Sequence, residues 1–127
     1  MNAGIYSIAN GPQLSEDEAA LLAALPETAK QSRPATHADL EKAVVAVAQR
    51  KDAALDIDVT ETGFTAVIAH DLKVVANKRG TGEETFYCQA TNEDLLRMLA
   101  EELARTCGPQ LVVPSGADAA VLVVASN

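Results

Sequence analysis

Apolar residues recur at helical spacing in three stretches of the chain, and each stretch has a recognisable start. Leu40, Ala43, Val44, Val47 and Ala48 share one helical face, and Thr36 with Asp39 three residues on supplies an N-cap before them. Leu95, Leu96, Leu99 and Leu103 predict a second amphipathic helix, from Thr91 or Asn92 to about Thr106. Glu93 and Asp94 fall in its first turn, where the helix dipole favours negative charge. Glu101 precedes Arg105 by one turn, and Gly108-Pro109 stops the helix. A shorter helix earlier in the chain follows Ser15-Glu16-Asp17-Glu18, which fits a capping box. Leu21, Leu22 and Leu25 form its apolar stripe, and Pro26 ends it.

Elsewhere the period drops to two. Leu55-Asp56-Ile57-Asp58-Val59-Thr60 alternates throughout, which predicts a strand with one buried and one wet face. Glu61-Thr62-Gly63 turns the chain, and Phe64 to His70 returns it as a hairpin. Further strands are predicted at Lys73 to Asn77, Glu84 to Gln89, Gln110 to Val113 and Ala119 to Ala125. The last of these is apolar on both faces at Val121 to Val124, so it is expected to be central or covered on both sides.

The resulting order, α-α-β-β-β-β-α-β-β, groups the strands instead of alternating them with helices. It predicts one α+β domain over residues 1–127, with a mainly antiparallel sheet of about five to six strands and helices on one face. No element is assigned to Met1 to Asn10. Pro26 to Pro34 reads as a linker, so residues 1–34 are expected to be a loosely attached helix and tether.

Composition narrows the function classes. Ten Lys and Arg against 18 Asp and Glu give a net charge of −8, which excludes general affinity for nucleic acid. With two Tyr, two Phe and no Trp, the core must be built from Ala, Leu, Val and Ile. Rings that stack on bases, sugars or flavins are nearly absent, and no cofactor is expected. The first ten residues carry no Lys or Arg and no signal-peptide core, and no apolar run reaches membrane-spanning length. Cys88 and Cys107 form no Cys-x-x-Cys pair and read as reduced thiols, so the expectation is a cytoplasmic protein without a membrane partner.

Motifs that carry chemistry are scarce. Gly80-x-Gly82 is half of a dinucleotide fingerprint, followed by a strand where a phosphate-holding helix would be needed. His37 and His70 are the two histidines, and a zinc site wants about four ligands, commonly in close pairs, so no metal is expected. The alternative to a binding module is a small enzyme or ligand-binding domain with a site assembled from His70, Asp71 and Cys88. Cys107, at a helix C-terminus, sits where the dipole disfavours a thiolate.

Charge is more informative. Asp56, Asp58 and Glu61 load the central hairpin, and Glu83 and Glu84 load the following loop, with Lys73, Lys78 and Arg79 as the one basic cluster. Such a field steers a cationic partner, so these five acids are the expected contacts for a basic protein. No catalytic residue is assigned. A short sheet also has edges to cover, which makes homodimerisation through one of them an expectation.

In size, acidity and the lack of catalytic and cofactor motifs the chain is similar to two bacterial groups. Immunity proteins that neutralise basic nuclease-type toxins are commonly small and acidic. Type III secretion chaperones also place strands between helices, although they usually end in a helix where this chain has the strand Ala119 to Ala125. Either likeness implies a basic toxin or secreted effector as partner. The two N-terminal helices and the 55–70 hairpin also resemble a winged helix, but an acidic wing does not suit DNA.

Overall fold

A computed structural model describes residues 2–7, 15–26, 36–59, 63–77, 86–115 and 121–124. In chain order the elements are β1 (Asn2–Ser7), α1 (Glu16–Ala23), α2 (His37–Arg50), β2 (Leu55–Val59), β3 (Gly63–Ile68), β4 (Leu72–Asn77), β5 (Phe86–Ala90), α3 (Glu93–Cys107), β6 (Gln110–Pro114) and β7 (Val121–Val123). The strands form one sheet in the order β2-β3-β4-β5-β1-β6-β7, and every neighbouring pair is antiparallel. The expected α+β class holds, with seven strands in place of five to six.

Period-two burial gives the sheet its inner face. Phe64, Ala66 and Ile68 of β3, Leu72, Val74 and Ala76 of β4, and Phe86, Cys88 and Ala90 of β5 all point one way. They meet Leu40, Val44 and Val47 of α2 and Leu95, Leu99 and Leu103 of α3 in a single core. Thr36 and Asp39 cap α2 reciprocally: the Asp39 amide donates to Thr36 Oγ1 at 3.2 Å, and the Thr36 amide donates to Asp39 Oδ2 at 2.9 Å. Between the helices, Arg50 of α2 reaches Glu102 of α3 at 3.0 Å. Arg105 also takes Glu102, at 2.6 Å, while the expected partner Glu101 turns back to Arg97 at 3.3 Å.

The N-terminal residues depart most from expectation. Far from being part of a loose tether, Asn2–Ser7 lies between β5 and β6 and joins the β2–β5 meander to the β6–β7 hairpin. Ala3 and Ile5 are the core residues it contributes among those described, too short an alternation to stand out in the sequence. Gly4 has a steric role: a Cβ there would come within 2.8 Å of Cε2 of the Tyr6 ring. Tyr6 in turn hydrogen-bonds the Tyr87 side chain, and burial raises its phenol pKa, with Tyr87 adding to the shift.

Of the two expectations for the last strand, central or covered on both sides, the first fails: β7 is at the sheet edge with Val121 half exposed. Its cover comes from α1. Ser15 accepts from the Glu18 amide at 3.3 Å, but the Glu18 carboxylate does not complete the box. It reaches 104 residues along the chain to accept from the Leu122 amide at 3.0 Å. An outward edge amide that has no neighbouring strand needs an acceptor, and Glu18 supplies it. The α1 stripe is correspondingly shallow, with Leu21 exposed.

The β2–β3 hairpin is no free-standing wing, because it continues the main sheet and α2 packs on it. Among the described residues no helix is long and apolar enough to cross a membrane.

Candidate functional site

At the other end of the sheet β2 is the outermost strand, and its entry is fixed by the end of α2. The Asp52 amide bonds the Gln49 carbonyl at 3.2 Å, and the Ala53 amide bonds the Ala48 carbonyl at 2.9 Å, which together close a Schellman motif. Asp52 occupies the left-handed position of that motif (φ 50°), where glycine is usual and Asp is tolerated.

From there the register decides what β2 shows to solvent. The Ala69 amide donates to the Ala54 carbonyl at 2.9 Å, so Ala54 faces Ala69 as a hydrogen-bonded pair. Alternation along an antiparallel ladder then turns the backbone groups of Asp56 and Asp58 toward β3 and those of Leu55, Ile57 and Val59 outward. Among the described residues no strand pairs with that outer edge. The side chains alternate as well. Leu55 and Ile57 pack partly under the helices, and Val59 on the same face is 64% exposed. Asp56 and Asp58 are exposed on the opposite face, about 7 Å apart along the strand. Neither has an ion-pair partner among the described residues. Glu61, Glu83 and Glu84, the other expected contacts, lie outside the described residues.

His70, Asp71 and Cys88 do not assemble. Cys88 is buried on the helix-covered face, opposite Val74 and Ala3. Burial pushes its thiol from 9.0 up to about 12, which removes the nucleophile such a site would need. Asp71 is structural: its Oδ1 accepts from Thr91 Oγ1 at 3.1 Å, and its carbonyl accepts from the Thr91 amide at 2.8 Å, tying the β3–β4 turn to the end of β5. Of the three, His70 alone lines a depression of about 380 Å³ on the uncovered face, beside Lys73, Gln89, Asn2 and Thr91. Among the described residues no group of three His, Cys, Asp or Glu side chains is placed to hold a metal ion. Cys107 is also buried, and neither cysteine is in a disulfide.

A second concavity had no sequence signal. A groove of about 400 Å³ runs between α3 and β7, floored by Leu96, Val112, Val121 and Val123 and rimmed by Glu93, Asp94, Glu101 and Arg97. It forms where the β6–β7 hairpin passes beside α3 at the end of the sheet.

Two stability predictions arise here. Ala69 and His70 both hold positive φ (51° and 64°) in a tight turn closed by the Asp71 amide and the Ile68 carbonyl. A left-handed Ala costs about 1–2 kcal/mol, and a glycine returns about 0.4–1 kcal/mol of that through the freer unfolded chain. Ala69→Gly is therefore expected to raise stability by up to about 1 kcal/mol, seen as a higher urea midpoint at constant m-value.

For Cys88 the folded thiol stays protonated while the unfolded one ionises first. The stability this confers is whole below pH 9 and drains as pH climbs toward about 12. Urea titrations should show about 1.4 kcal/mol of thiol-linked loss between pH 8 and pH 10, absent in Cys88→Ala.

Comparison with known proteins finds no family model, no curated protein and no solved structure that matches this chain.

Proposed function

We propose that this chain is a non-catalytic module that binds a basic protein, a toxin or secreted effector, and thereby sequesters or neutralises it. One observation carries the reading. The sheet has two edges: α1 closes one through Glu18, while the other, β2, carries two exposed carboxylates and has, among the described residues, neither a neighbouring strand nor an ion-pair partner for them. Open strand edges are ready templates for another chain, and charge beside them selects which chain. The chain's net charge of −8 adds long-range steering of a cationic partner. Immunity proteins and secretion chaperones, which the chain resembles in size and acidity, act by such occlusion.

The test is capture of a partner from the native host with the tagged chain, followed by reconstitution from purified components. A basic protein that binds at fixed stoichiometry, with an association rate that falls as salt rises, supports the reading. A neutral or acidic partner, or binding indifferent to salt, overturns it.

A further inference from the structure

We infer that β2 takes its partner as an added antiparallel strand, with Lys or Arg placed directly opposite Asp56 and Asp58. This rests on the reading above that the partner is basic, and it specifies how that partner is held.

The outward donors and acceptors belong to Leu55, Ile57 and Val59. An incoming antiparallel strand must pair its bonded residues with these three. The residues opposite Asp56 and Asp58 then occupy non-bonded positions, where Cα atoms approach to about 4.5 Å and side chains meet most closely. Both positions fall on the face that no described helix covers. The occupant is therefore an extended segment with cations two residues apart, one face basic and the other free to carry apolar residues alongside Val59. Backbone bonds would supply affinity, and the alternating pairs specificity.

The same register argues against a second copy. When two β2 strands pair antiparallel about Ile57, Asp56 faces Asp58 of the other copy twice. A shift by two residues sets Asp56 against Asp56, or Asp58 against Asp58. Every register that bonds two or more of these outward residues thus opposes like charges in the closest positions, which destabilises the pair. The homodimer expected from sequence does not suit this edge.

The experiment uses the intact 15N-labelled chain and three blocked peptides. One alternates Lys with Val, one alternates Glu with Val, and one has the first peptide's composition with its lysines in a block. The alternating-Lys peptide is expected to slow hydrogen exchange at the Leu55, Ile57 and Val59 amides, and the Glu peptide to leave them unchanged. Val59→Pro removes one outward N–H without breaking a β2–β3 bond, because proline is tolerated on an edge strand. It should weaken the alternating-Lys peptide by about tenfold or more, the loss expected for one hydrogen bond.

Equal binding of block and alternating peptides, or no protection at those amides while a basic partner protein still binds, would overturn strand addition and leave acidic recognition standing. If neither the Lys peptides nor any basic protein binds, both readings fall. If Asp56→Asn with Asp58→Asn self-associates while the wild-type chain takes no basic strand, the carboxylates guard the edge only, which also overturns the inference.

Discussion

Phe86→Ala is expected to cost about 3–5 kcal/mol, a large share of the roughly 5–15 kcal/mol by which a domain is stable. Phe86 is the largest fully buried side chain, and it lies on the inner face of β5, opposite Ala76 on one side and Ile5 on the other. With one small neighbour and a rigid sheet floor, the site cannot collapse into the space a benzyl group leaves. Three residues along the same strand, Gln89 is exposed on the other face, and Gln89→Ala should change stability by no more than about 0.5 kcal/mol. Urea unfolding measures both. A Gln89→Ala cost comparable to that of Phe86→Ala would contradict the assignment of one helix-covered and one uncovered face.

Charge reversal at β2 is expected to give the largest functional effect. Asp56→Lys combined with Asp58→Lys removes two attractive contacts and sets cation against cation, and like-charge juxtaposition in an interface costs several kcal/mol. Affinity for the basic partner should fall by at least about 100-fold, or about 2.8 kcal/mol, and the salt dependence of association should flatten. Stability should move by only about 0.5 kcal/mol, because both side chains are exposed and lack ion-pair partners among the described residues. Titration calorimetry at two salt concentrations, alongside urea unfolding, separates the two effects. Unchanged affinity would move the contact away from β2.

Much of this architecture can be read locally. The Leu95–Leu103 stripe, the Thr36–Asp39 cap and the Leu55–Val59 alternation are periodic signals, and periodicity follows from backbone geometry within a few residues. Composition likewise settles, without any fold, that the chain is acidic and poor in aromatic rings. Asp56 and Asp58 could be recognised as one wet face of a strand from their spacing alone.

What a strand's neighbours are is a different matter. Residue order determined that β2 would be a strand with its carboxylates on one side. Tertiary pairing decided that it would be an edge, and which backbone groups would point outward. The apolar run at Val121 to Val124 reads as central or covered on both sides, but lies at the rim because among the described residues β7 pairs with β6 alone. Glu18 reads as half of a helix cap, but serves as an edge seal because Leu122 arrives from 104 residues away. His70, Asp71 and Cys88 are each of a type that can carry chemistry, yet the two-residue pleat sends Cys88 into the core while the turn keeps His70 in solvent. Local periodicity encodes which face of an element is apolar. Only the folded sheet, through hydrogen bonds between distant segments, encodes which of those faces and edges remain uncovered.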